Sequence, residues 1–201
     1  MKYAFLFVIA LCAGCAKHSG PNLCTLVKEH SPQLRTTKLE IDPKMEGHAL
    51  GKVDSAFIPA LDKFGLIEAD HPDENWGCLH CLYYYGHLQL GNSLMGAVFS
   101  YDVCSCCGDK RLLLAVMDMD GNIKSAFVAA QELEESECTM EINTRIEGAK
   151  FIVAQGLGCA VLAESVADRF ADRLDSSTKY YTLATNGELV LQSADSATLM
   201  R

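Results

Sequence analysis

A chain of 201 residues with 49% hydrophobic content can bury one full core, and one compact domain with an N-terminal extension is the expected organisation. A formal charge of −9, with no run of basic residues, excludes a nucleic-acid partner gripped through its phosphates. Ten cysteines exceed the usage of a cytosolic enzyme this size and point to disulfides or metal.

Met1-Lys2 is a short basic start, and Tyr3 to Ala13 is an apolar run of signal-peptide length, too short to span a bilayer. The run ends Leu11-Cys12-Ala13-Gly14-Cys15. The small pair directly before Cys15 resembles the lipobox of bacterial lipoproteins, with Cys12 where that family carries leucine. The resemblance is confined to this leader and implies an address rather than an activity. It implies that residues 1–14 leave as a signal peptide, that Cys15 is lipidated, and that the chain is anchored to a membrane of the bacterial cell envelope. Cleavage after Ala16 is the alternative and yields a soluble periplasmic or secreted protein. Residues 15–54 are polar and weakly patterned, with Pro21, Pro32 and Pro43 as loop punctuation. They read as a tether, in which Asn22 to His30 is either a short helix or extended chain.

The globular domain is expected over 55–201. Asp54 or Ser55 can cap a helix that carries Phe57, Leu61 and Phe64 on one face and stops at Gly65. Beyond it the pattern is β. Leu82–Leu90, Met95–Asp102 and Arg111–Asp118 read as strands. Arg111–Val128 is a hairpin turning at Asp120-Gly121, and Lys179–Gln192 is a second one turning at Asn186-Gly187. Cys138–Ile146 and Ala149–Gln155 are two further strands joined at Glu147-Gly148, and the acidic stretch 131–137 reads as a solvated loop. Residues 160–174 space their apolar positions helically and predict a helix, with a strand pair as the rival. The fold class is therefore mainly β, an antiparallel meander built from hairpins with one or two covering helices.

The chemistry-bearing residues are the cysteines. Trp76-Gly-Cys78-Leu-His80-Cys81 resembles the thioredoxin-like redox motif, which implies that Cys78 attacks, Cys81 resolves and His80 favours the thiolate. That family sets the motif between a buried strand and a long helix, whereas the residues after Cys81 here are aromatic and strand-like. A second cluster, Cys104-Ser-Cys106-Cys107-Gly108, makes Cys78, Cys81, Cys104 and Cys107 an alternative zinc set of four thiolates. Export favours oxidation instead. Once Cys12 and Cys15 are set aside, Cys24, Cys78, Cys81, Cys104, Cys106, Cys107, Cys138 and Cys159 are disulfide candidates, enough for four bridges.

Other groupings carry less. Asp118-Met-Asp120-Gly-Asn122 begins like a calcium loop but places Ile123 and Ala129 where glycine and the bidentate glutamate belong, so a hairpin turn is expected. Gly156-Leu-Gly158 lacks the third glycine of a dinucleotide fingerprint. His48, His71, His80 and His87 are scattered, and no catalytic grouping or cofactor motif is present. Trp76 and Tyr83 to Tyr85 are either a binding face or half-buried strand partners. The expectation is an exported, membrane-anchored lipoprotein acting as a non-enzymatic envelope module. It is stapled by disulfides, needs no cofactor, and binds an envelope protein, a glycan or a small ligand. A thiol redox protein and a zinc protein are the alternatives.

Overall fold

Leu112 to Met117 is apolar at six successive positions, the pattern of a strand covered on both faces, and all six side chains are fully inaccessible. This segment is the middle of β4 (Lys110–Asp118), and the rest of the chain is layered around it. The computed structural model describes residues 22–35, 38–44, 51–67, 81–102, 110–135, 138–161 and 171–200. It is an antiparallel meander in which β2 (Cys81–Leu90), β3 (Leu94–Asp102), β4, β5 (Ile123–Glu135), β6 (Cys138–Glu147), β7 (Lys150–Val161), β8 (Ala171–Leu183) and β9 (Leu189–Met200) are neighbours in chain order. A short β1 (Leu39–Ile41) pairs with β6.

Alternation along β4 divides the interior into two cores. Leu113, Ala115 and Met117 face two helices, α1 (Leu23–His30) and α2 (Phe57–Asp62), which insert Cys24, Val27, Phe57 and Leu61. Leu112, Leu114 and Val116 face the opposite way and meet Ile41, Ile146 and Phe151, carried by β1, β6 and β7. The meander thus bends back over its own first strands.

The bend has a local cause. The last β5–β6 pair is Gln131 with Ile142. In continued register Ala129 would face Thr144, but Ala129 is skipped by β4 as a bulge and Thr144 pairs with Ile41 of β1 instead. The buried Thr144 hydroxyl donates to the Ala129 carbonyl at 2.7 Å and satisfies the oxygen that the ladder abandons. The sheet therefore splays at this point, and the first half of β5 keeps β4 on one side only.

The expected hairpin turns form. Gly121 and Gly187 have φ of +86° and +88°, a region L-residues rarely adopt. At Gly121 a Cβ would lie 2.7 Å from the Leu23 nitrogen, so this turn is also the seat of the α1 N-terminus. Asn22 locks that seat: its Oδ1 accepts from the Thr25 N–H and its Nδ2 donates to the Met119 carbonyl. Gly65 follows α2 at φ +66°, as expected of its stop, but the N-cap is Ala56 rather than Asp54 or Ser55, with no side-chain cap bond, and Phe64 lies past the last helical residue, Asp62. The Asp54 carboxylate instead accepts from the Ala56 N–H at 2.8 Å.

Four expectations change. Residues 15–54 are not a tether throughout, because α1 and β1 are part of the core. Backbone at Pro32, Leu34, Gly51 and Val53 also bonds along the outer edge of β2, and the domain begins by Asn22. The segment 131–135 is strand, since its alternation pairs with 138–142 despite its acidity. Residues 160–161 and 171–174 lie in β7 and β8, paired as Ala160 with Asp172 and Val161 with Ala171, so the helical spacing was overridden by strand pairing. The centre of that stretch, 162–170, lies outside the described residues. Finally, Cys24 is not bridged: it is a free thiol buried under α1, with Met95 Sδ 3.9 Å away as acceptor.

Candidate functional site

The splay between β5 and β6 opens a cleft of about 420 Å³, within the range of small-molecule sites. One wall is the unpartnered half of β5, contributing Phe127 and Val128, with Phe64 from the turn after α2 at its rim. The other wall is the inner face of β7 and β8. Here Phe151 pairs with Tyr181, Val153 with Lys179, and Gln155 with Ser177, without a break in register. Residues two apart on a strand share a face, so these are three successive rungs of one wall. Of the lowest rung Tyr181 lines the cleft, while Phe151 is fully buried in the second core beneath it.

The turn between β8 and β9 closes one end. The Ser125 hydroxyl donates to the Gly187 carbonyl at 2.9 Å and accepts from the Leu189 N–H at 3.2 Å, pinning the turn to β5. Gly187 is needed twice, for its φ and because a Cβ there would lie 2.7 Å from the Lys124 side chain. Two cations line the cleft, Lys124 and Lys179, and among the described residues no acid does. Their situations differ. Lys124 Nζ is 2.8 Å from the Asp118 carboxylate. Lys179 is exposed and makes no ion pair among the described residues.

Asp118 is held inside its own hairpin. It accepts from the backbone of Asp120 and Asn122 and from the Asn122 amide, besides pairing with Lys124. Desolvation pushes its carboxyl up, but the hydrogen bonds from Lys124 and Asn122 outweigh it and hold the pKa at about 2. The carboxylate that invited comparison with a calcium loop is thus occupied by the turn.

The sequence-predicted residues fare unevenly. Cys138 and Cys159 are direct cross-strand partners on β6 and β7, 4.1 Å apart at Cα, and form a disulfide. With Cys24 reduced, five of the eight candidates remain, an odd number, so four intramolecular bridges are ruled out. Cys78, His80, Cys104, Cys106 and Cys107 lie outside the described residues, as do Cys15, Trp76, His48 and His71. Cys81 opens the strand β2 rather than a helix, so the context of a thioredoxin-like motif is not met. Among the described residues no group of His, Cys, Asp and Glu could hold a metal.

The tyrosines are strand partners. Tyr84 and Tyr85 are buried in opposite cores, and Tyr84 stacks on His30 with ring centres 5.5 Å apart. His87 sits against Ser31, whose hydroxyl donates to the Val27 carbonyl and so must accept from His87 Nδ1. Burial lowers the His87 pKa, and nearby Lys28 adds to that.

None of the cleft residues stood out in the sequence. They come from the turn after α2 and from β5 to β9, and individually they look like ordinary strand positions. Among the described residues no helix is long and apolar enough to cross a membrane. No known protein family, curated protein or solved structure matches this chain.

Proposed function

We propose that this chain is an exported lipoprotein of the bacterial cell envelope, anchored through Cys15, whose β domain is a non-enzymatic module holding a small ligand in the splay cleft. The observation that carries the reading is the cleft itself: an apolar floor with a few convergent polar groups, built on paired strands rather than on loops. The Cys138–Cys159 bridge supports export, since structural disulfides persist in oxidising compartments. The leader ending at Ala13-Gly14-Cys15 supports the anchor.

Protein extracted from its native membrane, alkylated without reduction and weighed intact tests the anchor. The expected spectrum carries a lipid increment on Cys15, and a lipid-free mature mass refutes it. Organic extraction of the same preparation tests the module. Wild type is expected to release a small molecule that Val153→Trp, which fills the cleft, does not retain. Equal content in both proteins refutes the cleft as the ligand seat.

A further inference from the structure

The chemical class of the ligand follows from how the cleft is graded, if the cleft is the binding seat proposed above. The β7–β8 wall runs from the Tyr181 ring, beneath which its partner Phe151 is fully buried, through Val153 beside Lys179, to the amide and hydroxyl of Gln155 and Ser177. At ~3.3 Å per residue the wall spans about 13 Å, from apolar floor to polar end. Its second wall adds Phe127 and Val128 at the apolar level. A ligand matching this gradient has an apolar chain and one polar head.

Charge decides the head. The chain as a whole carries −9, with 26 acids against 17 bases. Yet both charged residues lining the cleft are lysines. The Lys124 charge is spent on Asp118, and the Ser125 hydroxyl is spent on the Gly187 turn. The Gln155 amide donates to Met140 Sδ at 3.6 Å. That leaves the Lys179 ammonium as the uncommitted charge among the described residues, with the hydroxyls of Ser177 and Tyr181 one rung to either side of it on the same face. The smaller depression beside β1 is different, with Glu40 and Asp42 opposing Arg145, and selects no sign of charge.

We infer that the cleft binds a single-chain amphipathic anion, its hydrocarbon chain against Phe127, Val153 and Tyr181 and its carboxylate or phosphate head on Lys179 and Ser177. Isothermal titration of the mature protein below the critical micelle concentration tests this with four probes: dodecanoate, dodecyl phosphate, dodecanol and dodecyltrimethylammonium. The two anions are expected to saturate one site and to bind about ten-fold more tightly than the alcohol or the cation, the value of one charge-assisted hydrogen bond. Their rank against each other separates a fatty-acid source from a phospholipid-like one. Lys179→Met, a change at an exposed position, is expected to fold normally and to abolish the preference for anions while retaining dodecanol binding.

Equal affinity for all four probes, blocked by Val153→Trp, would overturn the anionic ligand and leave the binding module standing. An anion preference that survives Lys179→Met would overturn the assignment of the head site. Failure of every probe to bind would overturn the amphiphile, while the module itself is judged separately by the extracted small molecule.

Discussion

Removing one oxygen atom at the splay point should weaken the whole domain. Thr144 is buried, and its hydroxyl is the donor that reaches the Ala129 carbonyl where the β5–β6 ladder ends. Thr144→Val keeps the shape and replaces the hydroxyl by a methyl group. The Ala129 carbonyl, in a bulge with its side chain fully buried, then loses this donor, at a cost of about 1–3 kcal/mol. For a domain this size, ~2 kcal/mol corresponds to a fall in Tm of roughly 4–8 °C. Thr144→Ser is the control, since it keeps the donor and loses one methyl group worth about 1 kcal/mol. Urea unfolding monitored by far-UV circular dichroism ranks the three proteins, with Val expected below Ser and Ser below wild type. A Val variant as stable as wild type would show that the hydroxyl does not hold the splay and that the bend has another cause.

Further outcomes follow from the same contacts. Replacing Cys138 and Cys159 together by serine opens a closed loop whose sequence separation is 21 residues. The expected cost is about 3 kcal/mol in urea unfolding, and a change under ~1 kcal/mol would mean that the hairpin alone restrains the unfolded chain equally well. Gly121→Ala should cost about 2 kcal/mol or more, because it adds positive-φ strain to a collision with the α1 backbone. Retained stability there would refute the docking of α1 on the turn. Asp118 has a folded pKa of about 2, below its ordinary value of 3.8, so its stabilisation is complete above the ordinary value and disappears as pH falls through the folded one. With allowance for solvent, Asp118→Asn should cost roughly 1–2 kcal/mol at neutral pH. The difference from wild type should shrink towards zero as pH approaches about 2. A difference independent of pH would remove the carboxylate charge from the explanation.

Much of the architecture was legible because local and global preferences agree. Asp120-Gly121 and Asn186-Gly187 demand hairpins by their conformational freedom, and the strands they join alternate as the two cores require. The apolar run of β4 read as a strand, and its burial on both faces emerged with the structure. Elsewhere the signals conflicted. Residues 171–174 have helical spacing, but the register of β7 and β8 runs through them and strand pairing prevails. Glu132 and Glu134 made 131–135 look like a loop, but the segment pairs residue by residue with 138–142 and is strand. The N-terminal segment misled for the opposite reason: α1 buries only Cys24 and Val27, too few apolar residues to announce a core helix. The cleft was invisible because it arises from a parting of strands. No single residue encodes a splay; it needs the Ala129 bulge, the Thr144 hydroxyl and the arrival of β1 together.

The two margins of the sheet are unlike, and this limits what the molecule can assemble into. Along β2 the outward backbone groups of Leu82, Tyr84 and His87 are already bonded to the chain's own residues 32–34 and 51–53. Along β9 the twelve residues Leu189–Met200 contain no proline and one charged side chain, Asp195, and among the described residues no strand covers their outer edge. A sheet open on both sides can add copies without end. One that is sealed on one side can join once, edge to edge, and then presents only sealed margins. At high concentration the β9 edge would therefore favour pairs rather than fibres. The short N-terminal stretches that brace β2 act as the terminator.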